Sequence, residues 1–153
     1  MYKMPLKRHE ALKNLSREHH DGLVFALRLQ KGISKKADLK ALEAYTDWFW
    51  KNYLHPHFQL EEQHLFPMCV ESNDLVLKAK AQHGDIKSLI DTQPKTYQVL
   101  KSLYQHIQAH IRFEERVFFM RIQDQLSEED LAKFHKIHSK QSECGLWLDR
   151  FWD

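Results

Sequence analysis

The stretch HPHFQLEEQHLFP, residues 55–67, decides how this chain folds. Within it, His57 and Glu61 are four residues apart, so on a helix their side chains share one face, one turn from each other. Pro56 stands directly before this pair and predicts a kink or a widened turn there. A single pair of this kind is commonly a surface ion pair worth a few tenths of a kcal/mol. This stretch alone therefore does not distinguish a surface ion pair from a functional site.

A second copy of the pattern lies further along the chain. AHIRFEERVFF, residues 109–119, places His110 and Glu114 at the same spacing. In both copies a second glutamate follows the first one, and aromatic residues come after it. Two copies in similar surroundings indicate two halves of one site.

Composition indicates a single helical domain. The chain has 153 residues, enough for one hydrophobic core, and contains only 4 Gly and 4 Pro. Its net charge is +2 with both signs interspersed, which gives no basic stripe for nucleic acid. It has no apolar run of a signal peptide or of a membrane span, and Cys69 and Cys144 form no CxxC pair. We expect one cytoplasmic domain over residues 1–153, with reduced thiols and no nucleic-acid or membrane partner.

Apolar periodicity divides the chain into four long helices and a short fifth one. The expected ranges are 6–31, 38–68, 74–91, 94–125 and 128–143. Gly32 is the expected stop of the first helix, and Pro94 suits the start of the fourth. The tail GLWLDRFWD, residues 145–153, is too apolar to stay in water and is expected to pack back on the helices. The fold class is all-α: an antiparallel up-down-up-down four-helix bundle with a short C-terminal fifth helix and tail.

Each long helix carries a histidine on its predicted inward face. In the first helix His19 lies in the middle of the apolar side, and His20 points about 100° away but still beside apolar residues, so both stay candidates. That apolar side is predicted to consist of Leu12, Leu15, Leu23, Ala26 and Leu27. The inward histidines of the other helices are His57, His83 and His110.

Burying Glu61 and Glu114 in one apolar core is costly, because a buried carboxylate loses several kcal/mol of hydration and the two charges repel. Cations resolve both problems. Four neutral imidazoles with two carboxylates and no thiolate suit iron or manganese better than structural zinc. Because each carboxylate is able to bridge, the set predicts a two-metal centre.

Several residues have a plainer interpretation. His83 taken alone is more often a satisfied core histidine, and His106 is predicted to be an ordinary helix residue. Glu62 and Glu115 either hydrogen-bond ligand histidines or face solvent. Gly22 and Gly84 either leave room for a small ligand beside the metals or allow close helix packing. The histidines expected outside the site, mostly at the surface, are His55, His64, His135 and His138.

These segments together resemble the hemerythrin-like, HHE cation-binding family. The motifs in family order are LSREHHDGLVFALRL, WFWKNYLHPHF followed by EE and LFP, AQHGDIKSLI, and HIRFEERVFF. The resemblance implies a four-helix bundle that holds two non-haem iron ions bridged by two carboxylates and an oxo or hydroxo group. The metal ligands that it implies are His19 or His20, His57, Glu61, His83, His110 and Glu114, with Glu61 and Glu114 as the bridges.

Two departures from the oxygen-carrying members shape the expected function. Lys87 stands where their third helix has a second histidine, and Glu114 follows His110 by four residues where they have an aspartate at five. An iron with one ligand fewer is more open, which favours a sensor or reactive centre over an oxygen carrier. We expect binding or sensing of O2, NO or peroxide. The alternatives are a diiron redox enzyme of stress defence or iron-centre repair, and a structural or regulatory metal module.

Overall fold

A computed structural model describes residues 7–138 and 147–153, and every regular element within these ranges is helical. A 3-10 turn at Glu10–Leu12 leads into the first helix. The five helices are α1 (Lys13–Ser34), α2 (39–65), α3 (Asn73–Asp91), α4 (97–125) and α5 (Glu128–His138). The expected all-helical class, with four long helices and a later short one, is confirmed. Residues 1–6 and 139–146, which include the predicted end of the fifth helix, lie outside the described residues.

The predicted stop of the first helix at Gly32 is wrong, and close packing explains why a glycine stands there. The helix α1 continues past Gly32 and turns at Lys36, whose φ is 54°, with Ala37 N–H donating to the Gly32 carbonyl at 2.8 Å. This is a Schellman-type end with a lysine in the left-handed position. A Cβ at Gly32 would lie 2.6 Å from Leu42 and 2.8 Å from Phe151. Glycine is therefore required there for close approach.

The widened turn predicted at Pro56 is present in α2. A π-helical turn at Trp50–Leu54 ends directly before the α-helical segment His55–Leu60, which contains the proline. A proline has no N–H to donate, so a widened turn before it removes the clash that a regular helix would suffer. A second π-helical turn, Glu61–Leu65, completes α2, and a 3-10 turn follows at Phe66–Met68.

Two caps set the starts of the later helices. The helix α4 begins at Tyr97 rather than at the predicted start, Pro94, and the side chain of its cap Thr96 accepts a hydrogen bond from Val99 N–H at 3.1 Å. Ser127 caps α5, since its hydroxyl accepts from Asp130 N–H at 3.1 Å.

The buried face of α1 differs from the predicted one. Leu23 and Leu27 are 43% and 47% exposed, so they do not belong to the core. The buried residues instead follow steps of three and four: Leu15, His19, Gly22, Phe25, Ala26, Leu29 and Gly32. This register, a fraction of a turn from the expected one, decides which histidine of α1 points inward.

The core consists of two apolar clusters. One is built around Phe25, Tyr45 and Leu103, and the other around Leu15, Leu65 and Phe118. The described part of the tail packs on the first cluster as expected, with Trp152 buried beside Tyr45 and under Arg28 at 4.2 Å. None of the described helices is long and apolar enough to cross a membrane.

Candidate metal centre

Six buried side chains converge between the two apolar clusters, and none is more than 4% exposed. All four long helices contribute: His19 of α1, His57 and Glu61 of α2, His83 of α3, and His110 and Glu114 of α4. The His-x-x-x-Glu spacing works as predicted, because the Nε2 of His57 lies 3.4 Å from Glu61 and that of His110 lies 2.9 Å from Glu114.

The donor atoms form two overlapping groups of four, each with its atoms within 4.8 Å of one another. One group contains His19 and His57, and the other contains His83 and His110. Both groups contain Glu61 and Glu114. We call them the His19–His57 position and the His83–His110 position. Each group could hold a metal ion, and the two carboxylates belong to both groups.

Orphaned polar atoms test whether such cations fit. Among the described residues, the buried atoms without a hydrogen-bond partner include Nε2 of His57, His83 and His110, both carboxylate oxygens of Glu61 and one of Glu114. An unsatisfied buried polar group costs about 1–3 kcal/mol. Imidazole nitrogen and carboxylate oxygen are the donors that iron and manganese accept. The residues present therefore fit a metal pair.

The two carboxylates titrate very differently without a cation. Burial, together with the adjacent Glu114, raises the pKa of Glu61 well above its usual value. Burial also acts on Glu114, but the charge of His110 and hydrogen bonds with the surrounding side chains outweigh it and hold that pKa well below normal. Like charges this close do not both ionise in a dry core, and a cation between them removes the obstacle.

The histidines also differ. Burial, reinforced by the neighbouring His110, lowers the pKa of His83 to about 2, so its imidazole stays neutral and keeps a free lone pair. For His57, burial favours the neutral ring, but the carboxylates of Glu114 and Glu18 outweigh it and raise the pKa to about 9.

Each imidazole turns its Nδ1 away from the centre toward a side chain of another helix. Two of these outer partners directly follow the buried glutamates. Glu115 accepts from His19 Nδ1–H at 2.9 Å, and Glu62 lies 3.4 Å from His83 Nδ1. Of the two interpretations of these glutamates, the histidine-facing one holds for Glu115. Glu62 is 40% exposed and makes only the longer contact.

The other two outer partners directly precede a candidate ligand. Glu18 accepts from His57 Nδ1–H at 2.7 Å, and Gln82 accepts from His110 Nδ1–H at 2.6 Å. The pattern is a pseudo-two-fold one, which exchanges α1 with α3 and α2 with α4. An acceptor on Nδ1 fixes the ring and leaves Nε2 to face the centre.

Both buried glutamates begin a π-helical turn, at Glu61–Leu65 and at Glu114–Phe118. Their backbone carbonyls accept hydrogen bonds from Phe66 and Phe119, five residues on. Turns of this kind are frequent at functional sites. Here each one falls where two consecutive glutamates point to different partners, the first to the centre and the second to a histidine of another helix.

The structure brings His19 but not His20 into the cluster. His20 is exposed and belongs to neither donor group, so its prediction as a candidate ligand is corrected. His106 is exposed and bonds Ser102 of its own helix, as an ordinary helix residue does. The expectation of a surface His138 is wrong, since it is 3% exposed and donates to Glu18 at 2.8 Å. The half-buried histidines outside both donor groups are His9, His55, His64 and His135.

Sequence reasoning missed Glu18 and Gln82 altogether. The available signal was their place one residue before a candidate ligand on a helix, which turns the side chain about 100° toward a neighbouring helix. The missing information was which helix stands there.

An apolar cavity lies beside the cluster, lined by His19, His57, His110, Gly22, Ile111 and other residues. The cavity has a volume of about 20 Å³, more than a single water molecule needs. Gly22 both borders this cavity and allows close packing, since a Cβ there would lie 2.9 Å from Ile111 Cδ1. Gly84 does neither, because it is exposed and a Cβ there would meet nothing within 4 Å.

Comparison with known proteins agrees with this geometry. The family described as Hemerythrin HHE cation binding domain matches residues 10–122, which contain all six clustered side chains. Neither the curated proteins nor the solved structures give a match. The match covers most of the chain, and the chain belongs to the hemerythrin HHE cation-binding family.

Proposed function

We propose that this chain is a non-haem diiron protein that binds or senses a small ligand, O2, NO or peroxide, beside the metal pair. The observation that carries the proposal is the sharing of Glu61 and Glu114 by two histidine pairs. One cation would leave half of the histidines unused, whereas two cations bridged by both carboxylates use all six side chains.

The donor chemistry favours iron. Each position offers two imidazoles and carboxylate oxygens with no thiolate, a set related to the two-histidine, one-carboxylate sites of non-haem iron proteins that keep open positions. When bound, iron would supply redox chemistry and open coordination sites for a diatomic ligand. The chain supplies the rest: imidazole lone pairs, two negative charges, and apolar walls that exclude water.

The cavity supports a small ligand. It borders His19, His57 and His110, and its size suits a molecule of two atoms rather than an organic substrate. Lys87, at the place of the additional histidine of oxygen carriers, is paired with Asp91 on the exposed side of α3. This supports an open coordination site and favours a sensor or reactive centre over a storage protein.

We also propose that residues 1–153 form one domain with antiparallel up-down-up-down topology. In support, Phe25 of late α1 shares its cluster with Leu42 of early α2, while Leu15 of early α1 shares the other cluster with Leu65 of late α2. The same alternation holds for α3 and α4. Chain direction alternating along one bundle axis accounts for this distribution.

Metal analysis of protein from iron-replete cells, read with its absorption spectrum in air, tests the function. We expect about two irons per chain and ligand-to-iron charge-transfer bands in the near-ultraviolet and visible. His19→Ala should abolish the bands, while the adjacent His20→Ala should keep them. Similarly, His110→Ala should abolish them and His106→Ala should not. Substoichiometric metal without such bands, or bands that survive in His19→Ala, would contradict the proposal.

Turnover separates this function from the enzyme alternative. A binding or sensing protein should take up NO reversibly, with the NO recovered on release under nitrogen. An enzyme should instead consume NO or peroxide in proportion to added electrons. Measuring how much of the added NO is recovered and how much is consumed, in one preparation, distinguishes the binding protein from the enzyme.

A further inference from the structure

The two halves of the centre are related by the pseudo-two-fold pattern, but their outer partners are not equivalent. At the His19–His57 position, both Nδ1 atoms donate to carboxylates, Glu115 and Glu18. At the His83–His110 position, His110 donates to the neutral amide of Gln82, and His83 Nδ1 has no hydrogen bond among the described residues. The symmetry of the backbone pattern is broken by side-chain chemistry.

The carboxylates at the His19–His57 position are themselves held in place. Ser16 donates to Glu115 at 2.8 Å. His138 Nε2–H donates to one oxygen of Glu18 at 2.8 Å, while the other oxygen accepts from His57 at 2.7 Å. For Gln82, the part of the chain that the structure describes shows the His110 bond alone.

His138, which bonds the outer partner Glu18, lies outside the segment that the family matches. It lies at the end of α5, beyond residue 122, and is 3% exposed. Phe134, one turn earlier on α5, is fully buried in the second apolar cluster and anchors the helix that carries it. A buried imidazole on an anchored helix fixes Glu18 at a single orientation.

The physical consequence concerns the ligand nitrogen. A carboxylate that accepts the Nδ1 proton forms a charge-assisted bond and makes Nε2 a better donor to a cation than a neutral amide does. An acceptor held by a second hydrogen bond also loses less conformational freedom when the ring is fixed. Both effects act on His57, and only the weaker amide acts on His110.

We propose that the two metal positions are inequivalent, that the His19–His57 position binds its ion more tightly, and that His138 contributes to this difference by holding Glu18 on His57. This inference rests on the proposed two-ion centre. His138 and Glu18 are positioning residues, since they act through His57. The tight position keeps its ion, and the His83–His110 position is the one that loads last and empties first.

Titration of metal-free protein with Co²⁺, followed by calorimetry and visible absorption, tests the inequivalence. His110→Ala leaves the His19–His57 position intact, and His57→Ala leaves the other. We expect Co²⁺ to dissociate from the His110→Ala protein with a constant about 10–100-fold lower than from the His57→Ala protein, the range typical of outer-partner effects. Equal constants would overturn the inference.

The role of His138 is tested in the same two backgrounds. Adding His138→Ala should weaken Co²⁺ binding about 10–100-fold in His110→Ala and leave it unchanged in His57→Ala. His138→Gln, which keeps an N–H donor, should restore most of the affinity. An equal loss in both backgrounds would show a general effect on folding and would refute the role of His138.

Two readouts keep the outcomes separate. Circular dichroism establishes that each variant is folded. If His138→Ala does not fold, Glu18→Gln replaces it in the same comparison of the two backgrounds. In the wild-type chain, failure to bind two Co²⁺ ions would count against the proposed function. Two ions bound with no difference between the single-position variants would count against this inference alone.

Discussion

Gly22→Ala should narrow the small-ligand cavity while leaving the metal donors untouched. The added Cβ would lie 2.9 Å from Ile111 Cδ1, and an ordinary contact begins near 3.4 Å, so the isoleucine end must move by the difference of 0.5 Å. Both residues line the cavity, which is the free space beside them. Replacing a mid-helix glycine by alanine gains about 1 kcal/mol, whereas overpacking costs about 1–3 kcal/mol. The net change in unfolding free energy is therefore between about zero and a loss of 2 kcal/mol.

Gly84→Ala is the matched control, because it changes the same residue type in mid-helix where a Cβ meets nothing within 4 Å. It should gain the full ~1 kcal/mol of helix propensity. At about 2–4 °C per kcal/mol for a chain of this size, Gly22→Ala should melt about 2–12 °C below Gly84→Ala.

Thermal unfolding of metal-free protein measures the stability difference, and anaerobic stopped-flow mixing of the ferrous protein with NO measures the ligand effect. We expect Gly22→Ala to bind NO more slowly or more weakly at unchanged iron content, and Gly84→Ala to match the wild type. Equal stabilisation in both variants together with unchanged NO binding would refute the assignment of the cavity.

Two further changes test the fold and the outer partners. Gly32→Ala should destabilise the chain by about 1–3 kcal/mol, since its Cβ would press on Leu42 and Phe151; denaturant unfolding measures this, and a gain of stability would contradict the packing of the tail. Burial opposes ionisation of Glu18, but hydrogen bonds from His138 and His57 outweigh it and lower its pKa from 4.5 to about 2. The stability from this shift is fully present above pH 4.5 and is lost as the pH falls toward 2; it amounts to roughly 3 kcal/mol in metal-free protein. Between pH 6 and 2, the free energy of unfolding should therefore fall less steeply in Glu18→Gln than in the wild type. Parallel curves for the two proteins would count against the hydrogen bonds from His138 and His57 to Glu18.

The sequence predicted which side chains converge, because the main rule for their placement is local. A spacing of four places His57 beside Glu61 and His110 beside Glu114 on any α-helix, whatever surrounds it. Burial of these pairs followed from the apolar residues around them. The choice between His19 and His20 was harder, because a face of α1 that included Leu23 fitted either one.

The outer partners mark the limit of that local rule. Glu18 and Gln82 each lie one residue before one ligand but bond a ligand of another helix, and His138 acts from a fifth helix. Their roles therefore depend on which helices are neighbours. Helical periodicity gives the direction of a side chain but not the identity of what it meets. The repeated Glu-Glu pair was the one outer feature visible in the sequence, and even there only the structure separates Glu115, which bonds His19, from Glu62, which stays at a longer distance.

The same contrast explains how a repeated motif can build an unequal pair of positions. His-x-x-x-Glu-Glu occurs in both α2 and α4, so the ligands that face the centre are matched. The residues before His19 and His83 are not matched, since one is a carboxylate and the other an amide. A single change at Gln82 would place a carboxylate before both histidines, so Gln82→Glu should tighten the weaker Co²⁺ site toward the stronger one. If the weaker site does not tighten in that variant, the acceptor on His110 does not set the difference between the two affinities.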